Sequence, residues 1–122
     1  MSETAKKILD IIINCQMSTY TAMYAPKIAV ITISNIINLC DGLTKYKARK
    51  ALKELVANGL IRYTSQGCPA IVSCGEYEEL VEDARPPING YALTTKGFDS
   101  ELYRKRYIEW CESMRKWVTD DE

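Results

Sequence analysis

Between Ser2 and Gln16 the apolar residues Ile8, Leu9, Ile12, Ile13 and Cys15 recur at helical spacing, and Glu3 stands early, where a helix dipole favours an acid. This pattern predicts a first helix. Met17 to Lys27 mixes Ser, Thr and Tyr with Pro26 and has no clear period, so it reads as a connection. Ile28 to Ile31 is a short β-branched run, enough for one strand. Thr32 or Ser34 then caps a short helix through Ile36, Ile37, Leu39 and Cys40, closed by Asp41 and Gly42. Thr44 opens a further helix that runs to about Asn58, with Gly59 as its left-handed cap. In that helix Ala48, Ala51, Leu52 and Leu55 share one face, while Tyr46, Arg49, Lys50 and Lys53 share the opposite one.

After Gly59 the period changes. Leu60 to Thr64 reads as a strand, Gln66, Gly67 and Pro69 as a turn, and Ala70 to Cys74 as a second strand. Glu76 to Asp83 is acidic, and Arg85 to Gly90 contains the Pro86–Pro87 pair, which disfavours both helix and central strand. A solvated acidic insertion over 76–90 is expected. Tyr91 to Thr94 is a third strand candidate, Thr95 a cap, and Phe98 to Val118 a closing helix before the acidic tail Asp120, Asp121 and Glu122.

Composition narrows the classes. The 122 residues fit one domain, and the 16 basic residues are cancelled by 16 acidic ones, so attraction to nucleic acid has to come from local clustering. Such a cluster exists. Lys45, Lys47, Arg49, Lys50 and Lys53 follow one another without an intervening acid, whereas a merely solubilising surface carries mixed signs. The five cysteines, Cys15, Cys40, Cys68, Cys74 and Cys111, show no close metal-ligand spacing, and the expectation is a reduced, cytoplasmic chain with no membrane span.

Two segments in the right order resemble winged helix-turn-helix regulators of the multiple-antibiotic-resistance (MarR) and phenolic-acid-repressor (PadR) families. The first runs from Ile33, Ser34, Asn35, Ile36 and Ile37 through Gly42, Leu43, Thr44 and Lys45 to Arg49, Leu52, Leu55, Gly59, Leu60 and Ile61. The second is Leu93, Thr94, Thr95, Lys96 and Gly97, where those families pass from the last wing strand into a helix. The resemblance implies an α+β fold: a winged helix-turn-helix with a three-helix core and a small antiparallel sheet, plus a long C-terminal helix. The whole of 1–122 is then one domain, with a helix at 1–16, the helix-turn-helix at 32–58, an extended wing at 60–94 and a helix at 98–118. It further implies a bacterial or phage transcriptional regulator that sets helix 44–58 in the major groove of double-stranded DNA.

The chemistry suits that role. Arg49 offers a bidentate fork to guanine, Lys45, Lys47, Lys50 and Lys53 neutralise phosphates, and Tyr46 reaches a phosphate or a thymine methyl. Arg62, Ser65 and Gln66 are the wing contacts, since the acids of the insertion are repelled by DNA. Tyr103, Tyr107, Trp110, Met114 and Trp117 form an a/d seam about two heptads long, expected to pack on the first helix and against a second copy in a homodimer. No cofactor is expected. A metal or redox pair at Cys68 and Cys74 has no histidine or close ligand pair to support it. An acidic cation site at Glu78, Glu79, Glu82 and Asp83 is weaker than a solvated loop. Catalysis is not expected, because there is no histidine, phosphate loop or nucleophile elbow. The competing class is a winged helix used for protein interaction in a phage or plasmid replication or packaging assembly, with the acidic insertion as its docking surface. A small effector near Tyr20, Met23 and Tyr24 is a further expectation of unspecified chemistry.

Overall fold

The computed structural model describes residues 1–21, 28–74 and 77–120, with side chains outside that description at 21, 66–74, 77–87 and 117–120. Its elements are α1 (Glu3–Ser18), a 3-10 turn (Thr19–Thr21), α2 (Ile33–Leu39), α3 (Lys45–Ala57), β1 (Ile61–Cys74), β2 (Tyr77–Leu93), α4 (Thr95–Phe98) and α5 (Glu101–Asp120). The fold is α+β with a two-stranded antiparallel sheet.

Hydroxyl caps set the helix starts. The side chains of Ser2, Thr32, Thr44 and Thr94 accept from the amides of Ala5, Asn35, Lys47 and Gly97, each filling one of the donors that a helix N-terminus leaves without a partner. Thr32 rather than Ser34 therefore opens α2, and Thr94 rather than Thr95 opens α4. The closing helix begins at Glu101, three residues later than the pattern suggests, because α4 is a separate single turn and Ser100 accepts the Tyr103 amide at 3.3 Å to start α5.

The core is where the apolar faces meet. Ile8, Ile12 and Ile13 of α1, Ile36 of α2, Leu52 and Leu55 of α3, and Ile61 and Leu93 at the base of the hairpin are all fully buried. α1 is the central rod, in contact with α2, α3, α5 and β2. Arg106 on α5 grips Asp10 on α1 through Nε at 2.6 Å and a second nitrogen at 3.1 Å, and also bonds Glu109.

The predicted strand at Ile28–Ile31 is reduced to a single bridge. Ile31 exchanges both backbone bonds with Tyr91 at 2.9 Å, while the amide of Ala29 is taken by Oε1 of buried Gln16 at 2.8 Å. A donor held by a side chain cannot extend a ladder.

The hairpin departs further from expectation. The predicted turn at Gln66–Pro69 and residues 77–90 of the predicted loop over 76–90 are instead parts of one long ribbon, β1 and β2 pairing from Ile61 opposite Leu93 out to Cys74 opposite Tyr77, and Glu76 lies outside the described residues. The prolines fit because the register slips at them. Pro86 and Pro87 fall in the gap between the pairs Gln66–Ile88 and Cys68–Arg85, and Pro69 falls in the gap between Cys68–Arg85 and Ala70–Val81. A residue without an N–H is tolerated at a bulge in a two-stranded ribbon, where both strands are edges.

Candidate nucleic-acid interface

α3 is held on three sides before any exposed residue is considered. Its back is sealed by Ala48, Ala51, Leu52 and Leu55, all buried. Its start follows α2 across a short turn in which Gly42 has φ of 76°, a left-handed conformation that a side chain disfavours. Its end is closed by Gly59, by Lys96, whose Nζ donates to the carbonyl of Asn58 at 2.8 Å, and by the Thr94 hydroxyl, which donates to the carbonyl of Gly59. A cation on the last carbonyls also favours the negative end of the helix dipole.

The opposite face carries the predicted cluster. Lys45, Tyr46, Lys47, Arg49, Lys50 and Lys53 are all exposed, Tyr46 at 76%. At 100° per residue Tyr46, Arg49, Lys50 and Lys53 fall in an arc of about 100°, with Lys45 and Lys47 on its flanks. The structure thus brings Tyr46, Arg49, Lys50 and Lys53 together on one side of one helix, with Lys45 and Lys47 at the margins of that side. Among the described residues none of the five cations has a salt bridge.

Glu54, the acid that does lie in α3, is occupied elsewhere. Its carboxylate accepts from the Ser2 amide and the Ser2 hydroxyl, each at 2.8 Å, and lies 3.9 Å from the N-terminal ammonium. Those hydrogen bonds, helped by the N-terminal charge and Lys50, hold its carboxyl below the ordinary value. Ser2 thereby holds the carboxylate of the acid within α3.

At the base of the hairpin Arg62 and Ser65 are exposed on β1; Gln66 is paired opposite Ile88, and its side chain lies outside the described residues. Tyr63 was not singled out by sequence, yet it is 64% exposed and leans edge-on against Tyr91 with ring centroids 5.3 Å apart. Strand alternation gives no sign of this. An aromatic next to buried Ile61 reads as core unless one knows that the ribbon has no covering layer there.

The expected dimer seam divides. Tyr103 and Trp110 pack against the core of the same chain, whereas Tyr107 and Met114 are exposed; the side chain of Trp117 lies outside the described residues. The wider surroundings of Tyr20 and Tyr103 are aromatic, the two hydroxyls hydrogen-bonded to each other, and burial pushes the Tyr103 phenol well above its ordinary value.

Cys15, Cys40 and Cys111 are free and half-buried, and burial pushes the Cys15 thiol up, away from the reactive thiolate. The predicted pair Cys68 and Cys74 and the acids Glu78, Glu79, Glu82 and Asp83 have side chains outside the described residues. Among the described residues no group of three His, Cys, Asp or Glu is close enough to hold a metal, and no helix is long and apolar enough to cross a membrane. Comparison of the chain with models of known protein families, with curated proteins and with solved structures gave no match.

Proposed function

We propose that the chain is a winged helix-turn-helix protein that binds double-stranded DNA, with α3 entering the major groove, and that it acts as a transcriptional regulator. The observation that carries this reading is the face of α3: five exposed cations without a salt bridge among the described residues, on a helix whose own acid is bound to the N-terminus. The order α1, Ile31 bridge, α2, turn, α3, hairpin is the order a winged helix requires. Arg49 reads guanine, the lysines hold phosphates, and Arg62 and Ser65 at the base of the wing lie against the neighbouring backbone. A homodimer using the distal half of α5, where Met114 is exposed, would present two copies of α3 to two half-sites about one DNA turn apart.

The test is salt. If Lys45, Lys47, Arg49, Lys50 and Lys53 each release a counterion, the slope of log K against log salt is about −4.5, and raising salt from about 50 to 200 mM weakens binding roughly 500-fold. In Lys53→Ala the slope falls in magnitude by about 0.9 for every duplex, whereas Arg49→Ala relaxes base preference by about 1–3 kcal/mol at one position. Absence of binding to random duplex at low salt refutes the proposal and favours the reading as a protein-interaction module.

A further inference from the structure

We infer that Tyr20, Tyr103, Tyr107 and Trp110 form a receptor for a small organic cation of the quaternary-ammonium class. Among the described residues these four aromatics alone line an opening of about 500 Å³ on the side of the molecule formed by the 3-10 turn and the first half of α5. Three of them rise along α5 as a ladder of nearly parallel rings: Tyr103 to Tyr107 at 6.1 Å and 15°, then Tyr107 to Trp110 at 6.1 Å and 25°. Tyr20 stands across the ladder as a perpendicular wall, 6.5 Å from Tyr107 at 81° and 5.7 Å from Trp110 at 75°. The hydrogen bond between the Tyr20 and Tyr103 hydroxyls ties that wall to the ladder.

The chemistry of the lining chooses the ligand. No Lys, Arg, Asp or Glu contributes to it among the described residues, so it offers neither a counter-charge to an anion nor an obstacle to a cation. What it offers is aromatic surface on two sides whose ring planes are nearly perpendicular, and a cation over a ring face within about 6 Å of its centroid is attracted by that ring. Neighbouring rings of the ladder are stacked on one another with centroids 6.1 Å apart, so no ligand enters between them and the position left is the corner between the ladder and Tyr20, too short for a flat ring system to stack along. A compact, weakly hydrated onium group fits the corner. Arg106, one residue before Tyr107 on α5, is engaged by Asp10 and Glu109 and does not fill the role.

The experiment uses the full chain carrying Trp117→Phe, so that Trp110 is the only indole, and follows its fluorescence during titration with choline, with tetramethylammonium, and with 3,3-dimethylbutan-1-ol, the neutral isostere of choline. The expected result is saturable change with both onium ions, none with sodium chloride at the same concentration, and at least several-fold weaker binding of the neutral alcohol. Loss of one ring in Tyr20→Leu or, as a second variant at an exposed position, Tyr107→Leu raises the apparent Kd about two- to five-fold. Equal binding of choline and its isostere overturns the inference, as does absence of saturation, or unchanged affinity in both variants. So does sedimentation showing that a second copy covers this face and excludes the onium ions.

Discussion

Among the described residues Gln16 is the buried polar residue of the core, 1% exposed, and its Oε1 accepts the amide of Ala29, itself only 8% exposed, at 2.8 Å. Gln16→Leu keeps the side chain's approximate volume and removes the acceptor. The Ala29 amide is then left in a dry environment without that partner, which costs about 1–3 kcal/mol, against which the added apolar contact of leucine returns at most about 1 kcal/mol. The expected net loss is roughly 1–2 kcal/mol, or a fall of about 3–10 °C in Tm for a domain of this size. The loss is also local. Ala29 lies two residues before Ile31, whose two bonds to Tyr91 join the segment to the sheet, so the amides of Ala29 and Ile31 exchange faster with solvent while those of Leu52 and Leu55 change only as much as global stability does. Thermal unfolding followed by circular dichroism and amide exchange by NMR measure the two effects. A variant as stable as the parent, or uniform loss of protection with no excess at Ala29 and Ile31, refutes the idea that this one acceptor replaces a ladder bond.

Two further perturbations test other parts of the frame. A Cβ at Gly97 would run into the backbone carbonyl of Leu60, so Gly97→Ala has to push α4 away from the residue that leads into β1; chemical denaturation should show a loss of about 2 kcal/mol or more, and a neutral result sinks the close-approach argument. Glu54 has a folded-state pKa below its ordinary value, so the stability it contributes is complete above that value and disappears as pH falls through the lowered one; an NMR titration of its carboxyl should give a midpoint below that of Glu54 in the Ser2→Ala variant, and coincident midpoints would deny the hydroxyl its part.

Local signals carried the sequence reading furthest where one residue decides one hydrogen bond. Thr44 as cap, Gly59 as left-handed terminus and the split of α3 into a face of Ala48, Ala51, Leu52 and Leu55 and a face of Tyr46, Arg49, Lys50 and Lys53 were all legible, because each depends only on neighbours within a turn or two. Long-range pairing was not. The ribbon from Ile61 to Leu93 reads in sequence as three short strands separated by a turn and an insertion, since Gly67, Pro69, Pro86 and Pro87 carry turn chemistry, and only the register reveals that they fall at its slips. The link from Ser2 to Glu54 and that from Gln16 to Ala29 join residues whose types give no hint of partnership. In α5 the period identified the aromatic seam but not how it is shared, because Tyr103 and Trp110 turn toward the same chain while Tyr107 stays exposed.

How a chain with as many acids as bases can present a positive surface follows from where the acids are. Beyond α3, the base of the hairpin from Ile61 to Gln66 and from Ile88 to Leu93 contains Arg62 and no acid; Glu78 and Glu79 lie past the second register slip, opposite Ser73 and Val72, and Glu82 and Asp83 fall within that slip, between Val81 and Arg85. The nine residues from Ile61 to Ala70 correspond to about 30 Å along the strand, while the Debye length is about 8 Å at physiological salt. Measured along the ribbon, the acids are separated from its base by several screening lengths. With Glu54 drawn to Ser2 and the N-terminus, the potential at α3 is set by its own lysines and arginine rather than by the zero net charge of the molecule. Lowering salt lengthens the range over which the acidic arm is felt, so in the proposed complex with DNA the distal acids oppose phosphate contact when screening is weak, and the salt slope should flatten at the lowest concentrations.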